Sequence, residues 1–186
     1  NVPHNRIYRV FCEEGLNKPI TGFRRTWGRR RFEREHSNSL WQADFKLCRD
    51  DWRIVSFQDD HSRFITGSVK VWDPTGENAM FLLERAVKRY GVPGQILTDQ
   101  GTQFKPARSE TSEFDMLCRE LGIEHITASV RRPTTIGKIE AFHKAYVVES
   151  HLFNRHWSFI RYYNYTRPHE ALNYLTPAEI YLKDRV

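Results

Sequence analysis

The amino-acid sequence predicts an α/β fold in which helices flank a mixed sheet. Three strand-like segments joined by short turns come first, and helical and strand-like segments then alternate along the chain. The resulting order, β-β-β-α-β-α-β-α-α, is typical of a layered sheet that begins as an antiparallel meander. The length of 186 residues suits one domain with a short appendage.

The meander is predicted from strands in which apolar and polar residues alternate. Over residues 40–48, Trp41 and every second residue after it up to Leu47 are apolar, and the residues between them are polar. Short turns rich in Asp then separate a second strand over 52–58 and a third over 64–71. Connections this short predict that consecutive strands pair with each other.

The later elements are predicted from helical periodicity and from residues that begin and end helices. Leu82, Leu83 and Ala86 lie on an apolar stripe that Gly91 ends. In order, the chain carries a helix over 74–90, a strand over 95–98, a helix over 114–121, a strand over 123–126, a helix from 137 through 153 or beyond, and a terminal helix starting at the capping box 176–179.

Composition excludes several classes of protein. No segment approaches the roughly 20 apolar residues that span a bilayer, so no membrane partner is expected. The first residues are charged and include no apolar block, which argues against a signal peptide. The three cysteines form no C-x-x-C pair, which argues against a disulfide framework and a structural zinc site. We therefore expect a reducing, intracellular location.

The first 37 residues are predicted to precede the core domain, which spans residues 38–186. Residues 1–16 form a short helix, which is either a remnant of a helix-turn-helix DNA-binding domain or a helix packed on the core. Residues 17–37 lack periodicity and form a basic linker. Because the chain starts with Asn rather than Met, we expect it to be a piece of a longer protein.

Positive charge is concentrated in this linker. Residues 18–36 carry a net charge of +5, against +6 for the whole chain, so the globule is nearly neutral. A basic arm on a near-neutral globule is typical of contact with DNA phosphates, and a solvated charged linker is the alternative. The residues of this arm predicted to contact DNA are Arg24, Arg25, Arg29, Arg30 and Arg31.

Three carboxylates stand at positions where active sites form in α/β folds. Asp44 lies within the first strand, Asp99 follows the fourth strand, and Glu140 lies in the first turn of a helix. Taken singly, each has an ordinary structural explanation, as a strand surface residue, a turn residue and a partner of the helix dipole. They converge if the first and fourth strands are neighbours, and three massed carboxylates then need cations. Their hard oxygens favour Mg²⁺ or Mn²⁺.

Several ordered motifs resemble the integrase catalytic core, the superfamily of DDE transposases and retroviral integrases with a ribonuclease H-like fold. They are WQAD at 41–44, DDHSR at 59–63, LTDQGTQF at 97–104 and GKIEAFH at 137–143. The closing YNYTRPHEAL at 163–172, followed by Thr-Pro, resembles the end of insertion-sequence transposases of the IS3/IS481 type. The resemblance covers residues 38–182 and implies a mixed five-stranded sheet.

This resemblance implies a catalytic, metal-binding triad of Asp44, Asp99 and Glu140. Two Mg²⁺ or Mn²⁺ ions would be held when DNA is bound, and would serve DNA end processing by water and strand transfer by a 3′-hydroxyl. The implied partners are DNA, as transposon ends and target, and further copies of the chain in at least a dimer. The implied location is the cytoplasm, in association with the nucleoid.

Further DNA contacts are implied around the helix that carries Glu140. Lys144 and His143 follow Glu140 by one helical turn. The resemblance favours a contact of Lys144 with a transposon end, and a Glu–Lys surface pair is the alternative. Lys138, Arg131 and Arg132 lie at or before the start of this helix and are implied to track phosphates. Asp60 and Arg63 are expected to hold a turn, and the roles expected for Arg167 and His169 are structural or DNA contacts.

Two departures from the family keep other functions open. The segment between Asp99 and Glu140 is about five residues longer than usual, which fits an insertion in the surface loop 105–113. Ile136 stands where the family usually has Asn. The alternatives are a catalytically inactive or domesticated DNA-binding protein and a ribonuclease H-like nuclease.

Overall fold

The computed structural model describes residues 10, 13–15, 33–48, 51–104, 111–128 and 137–184. The chain divides into two compact units, Asn1–Arg31 and Phe32–Val186. In the first unit, Val10 and Glu13 are helical, within the helix predicted over 1–16. The prediction of a linker over residues 17–32 lies outside the described residues.

A five-stranded mixed sheet forms the centre of the second unit. The predicted antiparallel meander consists of β1 (Leu40–Leu47), β2 (Arg53–Asp59) and β3 (Ile65–Val71). β4 (Gln95–Thr98) pairs in parallel with β1, and β5 (Glu124–Thr127) pairs in parallel with β4. Across the sheet the order is β3-β2-β1-β4-β5, so β1 is central and β3 lies at an edge.

Helices cover both faces of the sheet, as the sequence predicts. On one face, apolar residues of α1 (Gly76–Tyr90) and α2 (Glu113–Glu120) pack on the sheet in one core cluster. On the other face, α3 (Gly137–Glu149) and α4 (His156–Tyr165) form a second cluster with β2 and β3. The terminal helix α5 (Pro177–Lys183) begins with the predicted capping box.

The helix predicted to run from 137 through 153 or beyond ends at Glu149, so this prediction is wrong. A 3-10 turn over Ser150–Leu152 and an extended Arg155, with φ −141° and ψ 144°, separate α3 from α4. Phe153 and Phe159 pack on the same apolar cluster as Phe142. Because the apolar pattern continues across the break, periodicity could not reveal it. The other predicted boundaries differ from the structure by one or two residues.

Residues 33–37, predicted as the end of the linker, contact the globule. The backbone N–H of Arg34 donates to Asp60 Oδ2 at 2.9 Å, and that of Ser37 donates to Asp184 Oδ2 at 2.9 Å. At the predicted insertion, Ser112 is 3% exposed and forms a reciprocal capping box with Asp115. The loop therefore ends before Ser112, so the predicted surface loop over 105–113 is too long at this end, and its residues 105–110 lie outside the described part. Within that part, no helix is long and apolar enough to cross a bilayer.

Candidate active site

The sheet places Asp44 and Asp99 side by side. β1 and β4 are parallel neighbours whose register pairs Ala43 with Thr98, so the two aspartates are the next residues along adjacent chains. Equivalent positions on parallel neighbours point to the same face of a sheet. Burial raises the pKa of Asp99, and the negative charge of Asp44 raises it further. The two carboxylates are therefore within electrostatic reach of each other.

A tight turn holds the Asp99 side chain. Its Oδ1 accepts a hydrogen bond from the backbone N–H of Gly101 at 2.9 Å, which opposes the rise of its pKa. A Cβ atom at position 101 would lie 2.8 Å from the same Oδ1, which is closer than atoms pack. A larger residue at position 101 would therefore displace the Asp99 carboxylate from this position.

A buried polar chain anchors the strand that leads to Asp99. Thr98 Oγ1 lies 2.9 Å from His125 Nε2, and His125 Nδ1 hydrogen-bonds Asp115. Thr98 has no exposed surface, so its hydroxyl is closed to a substrate. The chain therefore ties the end of β4 to β5 and α2 as a structural support. Sequence reasoning missed it because the three residues belong to separate elements.

Gln42 joins the central strand to the first turn of α3. Its Oε1 accepts from the backbone N–H of Ile139 at 3.3 Å, and its Nε2 donates to Asp60 Oδ1 at 2.7 Å. Lys138 Nζ lies 2.7 Å from the same Oδ1 and donates to the Asp60 carbonyl at 3.1 Å. Asp60 has no exposed surface, so its charge depends on these donors. We call Gln42, Asp60 and Lys138 the clamp.

The clamp holds the helix that carries Glu140. The N–H groups of the first helical turn have no acceptor within the helix. Gln42 provides an acceptor for the N–H of Ile139, the residue before Glu140. The predicted turn role of Asp60 and Arg63 is confirmed, because the Arg63 guanidinium donates to the carbonyl of Asp60. The sequence did not reveal the pairing of Asp60 with Lys138, because 78 positions separate them.

Glu140 stands apart from the two aspartates. Its side chain is exposed on α3. Within the described segments, no group of three His, Cys, Asp or Glu side chains is placed to hold a metal ion. The structure therefore brings together two members of the predicted triad, Asp44 and Asp99, and leaves the third on the adjacent helix.

His143 is buried beside Asp44, which corrects its predicted contact with DNA. Its residue surface is 1% exposed, and its Nδ1 lies 3.3 Å from Asp44 Oδ2. Neither ring nitrogen has a hydrogen-bond partner among the described residues. The buried stripe of α3 includes Ile139, His143 and Tyr146, at a spacing typical of a core-facing helix. His143 therefore belongs to this stripe and faces the sheet.

The other residues predicted to contact DNA have different surroundings. Lys144 is exposed on α3, and within the described part of the chain it pairs with no carboxylate, so the alternative Glu–Lys pair is absent there. Lys138 is engaged by Asp60. Arg167 forms a fork-like pair with Glu149, with N···O distances from 2.8 Å to 3.2 Å, a structural role. Outside the described residues lie Arg24, Arg25, Arg29, Arg30, Arg31, Arg131 and Arg132.

The aspartate pair fits a divalent cation. Carboxylate oxygens are the ligands that Mg²⁺ and Mn²⁺ prefer, and a cation between the two would offset the repulsion that raises the pKa of Asp99. The Asp44 side chain is 18% exposed and Asp99 is partly exposed, so an ion from solvent can reach both. Among the described residues no third carboxylate completes the set, and Glu140, in the first turn of α3, remains the candidate that the sequence motif gives.

Comparison with known proteins identifies relatives over most of the chain. Residues 34–133 match the integrase core domain family, a range that includes both aspartates and ends before Glu140. The IS407 insertion-element 31.7 kDa protein of Burkholderia multivorans is 28% identical over 98% of this chain and 70% of its own length. The putative integrase ORF3 of Spiroplasma virus SpV1-C74 is 26% identical over 67% of this chain and 40% of its own length.

Solved structures share the fold. The catalytic core domain of BIV integrase matches with a TM-score of 0.63 and 20% identity, over 80% of this chain and 96% of its own. The HTLV-2 integrase catalytic core domain, solved with magnesium in a dimeric form, matches with a TM-score of 0.58 and 19% identity, over 79% of this chain and 98% of its own. These matches confirm the predicted ribonuclease H-like α/β fold.

Proposed function

Because the chain belongs to the integrase core domain family, we propose that it processes DNA ends and joins them to target DNA as a transposase core. Both reactions are in-line phosphoryl transfers, first to water and then to a 3′-hydroxyl. Integrase cores are polynucleotidyl transferases that generally use divalent metals. The chain's similarity to an insertion-element protein over 98% of its length favours transposition over viral integration.

The observation that carries this proposal is the alignment of Asp44 and Asp99 on parallel neighbouring strands. Phosphoryl transfer needs little covalent chemistry from the protein, and positioned charge does most of the work. Two adjacent carboxylates on one face of the sheet supply fixed oxygen ligands for a bound divalent cation, which would carry that charge. Burial raises the pKa of Asp99, so this carboxylate lies in partly desolvated surroundings, where bound charge acts strongly.

The residues have distinct roles in this mechanism. Asp44 and Asp99 would hold the metal, and Glu140 would complete the ligand set in the DNA complex. Bound Mg²⁺ or Mn²⁺, two ions in the DNA complex, would activate the attacking oxygen and stabilise the leaving oxygen. His143 packs behind Asp44 and limits the positions its carboxylate can take. The solved HTLV-2 relative contains magnesium, which supports the choice of ion.

DNA contacts are proposed on both sides of the carboxylates. Lys144 projects from α3 one turn after Glu140, where it can reach a phosphate of the bound end. Arg131 and Arg132 precede the same helix, and the arm that includes Arg24 and Arg29 to Arg31 adds charge attraction along the backbone. Lys138 contributes mainly through the clamp, because its ammonium already pairs with Asp60.

We also propose that the chain works as a dimer. A groove of about 1180 Å³ runs between α1 and α4 along the edge strand β3. Phe81 and Trp157 line it and are 55% and 56% exposed. Large apolar side chains exposed on facing helices are typical of a subunit interface. The related HTLV-2 domain is described in a dimeric form, which supports a second copy as the occupant.

A strand-transfer assay with short end duplexes and Mg²⁺ or Mn²⁺ tests the proposed reaction. We expect activity that EDTA abolishes and that Asp99→Asn or Asp44→Asn lowers by about 100-fold or more, since the metal contributes several kcal/mol to the transition state. Asp73→Asn, at an exposed aspartate after β3, is the matched control and should retain activity.

Other outcomes would identify the alternative functions. DNA binding without any metal-dependent reaction would indicate a DNA-binding protein that has lost catalysis. Cleavage confined to RNA–DNA hybrids would indicate a ribonuclease H-like nuclease. Either result would contradict the proposed strand transfer.

A further inference from the structure

We propose that the exposed indoles of Trp52 and Trp72 stack on an unpaired base of the DNA strand that enters the Asp44–Asp99 site. This inference rests on the proposed DNA-processing function. The two rings meet edge to face, with centroids 4.3 Å apart and planes at 73°. They are 39% and 57% exposed, so the pair leaves much of its aromatic surface open to solvent.

The sheet register places this indole pair on the same face as Asp44. Lys46 follows Asp44 by two residues on β1 and therefore points to the same face. It pairs with Ile54 of β2, which in turn pairs with Lys70 of β3, so the three residues form one row across the sheet. Side chains alternate between faces, so the next row on this face holds Trp52 and Trp72, just before β2 and just after β3. At about 3.3 Å per residue, this row lies about 13 Å from Asp44, a distance spanned by a few nucleotides.

Two cations stand between the carboxylates and the indoles. Lys46 and Lys70 are exposed, and neither forms an ion pair with a described residue. Both act on the nearby Cys48 thiol: burial raises the pKa of this thiol, and the charges of Lys70 and Lys46 oppose that rise. Because α3 and α4 cover Ile54 and its surroundings on this face, a DNA strand leaving Asp44 would pass along the part of β1 that does not pair with β4, where Lys46 is exposed. Its phosphates would there come near the two ammonium groups.

The chemistry of the surface favours an unpaired nucleotide. A duplex keeps its bases stacked inside and presents phosphates and groove edges, which indoles cannot stack on. A single-stranded nucleotide offers a flat base to the indoles and a phosphate to the lysines. Asp51 and Asp73 are the chain neighbours of Trp52 and Trp72, and their carboxylates would repel a phosphate placed beside the indoles. The phosphate contacts are therefore assigned to the lysines, and the base contact to the indoles.

A thermodynamic cycle between protein and DNA tests this assignment. The probe is an end duplex with a short single-stranded overhang, either with its bases or abasic, and binding is measured by fluorescence anisotropy in EDTA with 5′ and 3′ overhangs. For the wild-type chain, removing the bases should weaken binding roughly 10- to 100-fold for whichever of the two overhangs, 5′ or 3′, enters the site. The Trp52→Ala/Trp72→Ala variant should bind the base-containing probe more weakly by a similar factor, and should not respond to base removal.

Two further variants separate stacking from a structural effect. Tyr174→Ala removes an aromatic side chain that is 72% exposed in the turn before α5, and should leave the response to base removal intact. Trp52→Tyr/Trp72→Tyr keeps aromatic faces and should restore most of the affinity. Thermal unfolding should be nearly unchanged in all variants, because the indoles are exposed.

The possible failures are distinguishable. If the wild-type chain binds no DNA, the proposed function itself fails. If it binds DNA and the effects of indole loss and base removal simply add, the stacking proposal alone is overturned. Loss of self-association in the indole variant, with base dependence unchanged, would show that the pair contacts a second copy of the chain and would also overturn it.

Discussion

The surroundings of Asp99 disfavour the ionised carboxylate that the proposed reaction needs. Burial and the neighbouring charge of Asp44 both disfavour its ionised form, and the hydrogen bond from Gly101 only partly offsets them. An ionised carboxylate kept in such a place weakens the fold in the absence of a cation. Active sites commonly hold groups whose charge the fold alone would not favour, because the charge serves the reaction.

Asp99→Asn should therefore stabilise the metal-free protein while abolishing strand transfer. The pKa of Asp99 is raised in the fold, so its stabilising contribution is present at low pH and is lost as pH rises through that pKa. Asn carries no charge and can still accept from Gly101, so at pH 7 in EDTA the unfolding midpoint should rise by a few degrees. The gain should shrink as pH falls through the raised pKa of Asp99, where the wild-type carboxylate takes up a proton.

Calorimetry across pH checks this expectation. Asp73→Asn is the control, because this exposed aspartate lies on the surface after β3 and its substitution should leave the midpoint unchanged. A lower midpoint for Asp99→Asn would contradict the account and would show that the ionised carboxylate stabilises the turn.

Among the elements, α3 depends most on contacts between distant parts of the chain. Its first turn is tied to β1 by Gln42 and to the β2–β3 turn by Asp60 and Lys138. Its buried stripe presses His143 against Asp44. The position of Glu140 relative to the aspartates therefore depends on the clamp as well as on the helix itself.

Gln42→Met tests whether the clamp positions Glu140. Met preserves the length of the side chain and removes both of its hydrogen bonds. The backbone N–H of Ile139 then lacks its acceptor, and Asp60 Oδ1 loses one of its donors. We expect kcat at saturating DNA to fall about tenfold, because misplacement by about 1 Å can have large effects on rate. The dissociation constant for DNA should change little. Stability should drop by about 1–3 kcal/mol, as for other buried groups that lose their partners.

A neighbouring glutamine provides the matched control for this experiment. Gln58 of β2 lies directly opposite Gln42, has no exposed surface, and donates to Arg63 and Tyr163 rather than to α3. Gln58→Met should lose comparable stability and keep its kcat. Equal losses of kcat in both variants would mean that the effect is general loosening of the fold.

Local sequence patterns predicted the strands and most helices because alternation and helical periodicity are properties of short segments. The convergence of Asp44 and Asp99 was expected only if the first and fourth strands are neighbours, and the parallel pairing of β1 with β4 meets that condition. The end of α3 was missed because the aromatic residues after Glu149 continue the same apolar pattern. The clamp and the burial of His143 arise from tertiary packing, which single-segment patterns do not report.

At the scale of the whole molecule, the aspartate pair and the groove lie at different places on the sheet. The carboxylates lie where β1 meets β4, toward the α3 face, whereas the groove between α1 and α4 follows the opposite edge at β3. A second copy docked in this groove would leave the Asp44–Asp99 pair open to DNA. Catalysis and self-association can therefore be altered separately.

Trp157→Glu should disrupt the proposed dimer. A buried, unpaired carboxylate in the proposed interface would oppose association. Sedimentation equilibrium should show at least a tenfold weaker association, with the unfolding midpoint little changed because Trp157 is 56% exposed. Leu182→Glu, at an exposed residue of α5, is the control. A dimer that tolerates Trp157→Glu would place the interface elsewhere.

The basic arm should supply most of the DNA affinity that does not depend on sequence. Residues 18–36 hold +5 of the net charge of +6 and contain few apolar residues that could anchor them in a core. Each phosphate neutralised adds about 0.9 to the slope of log affinity against log salt, so replacing Arg29, Arg30 and Arg31 with Ala should flatten that slope by about two to three units. The rate at saturating DNA should fall far less, because Asp44 and Asp99 lie in the core domain. If the arginines instead brace the globule, as the backbone contact of Arg34 with Asp60 does, the triple variant would lose thermal stability and keep its salt slope.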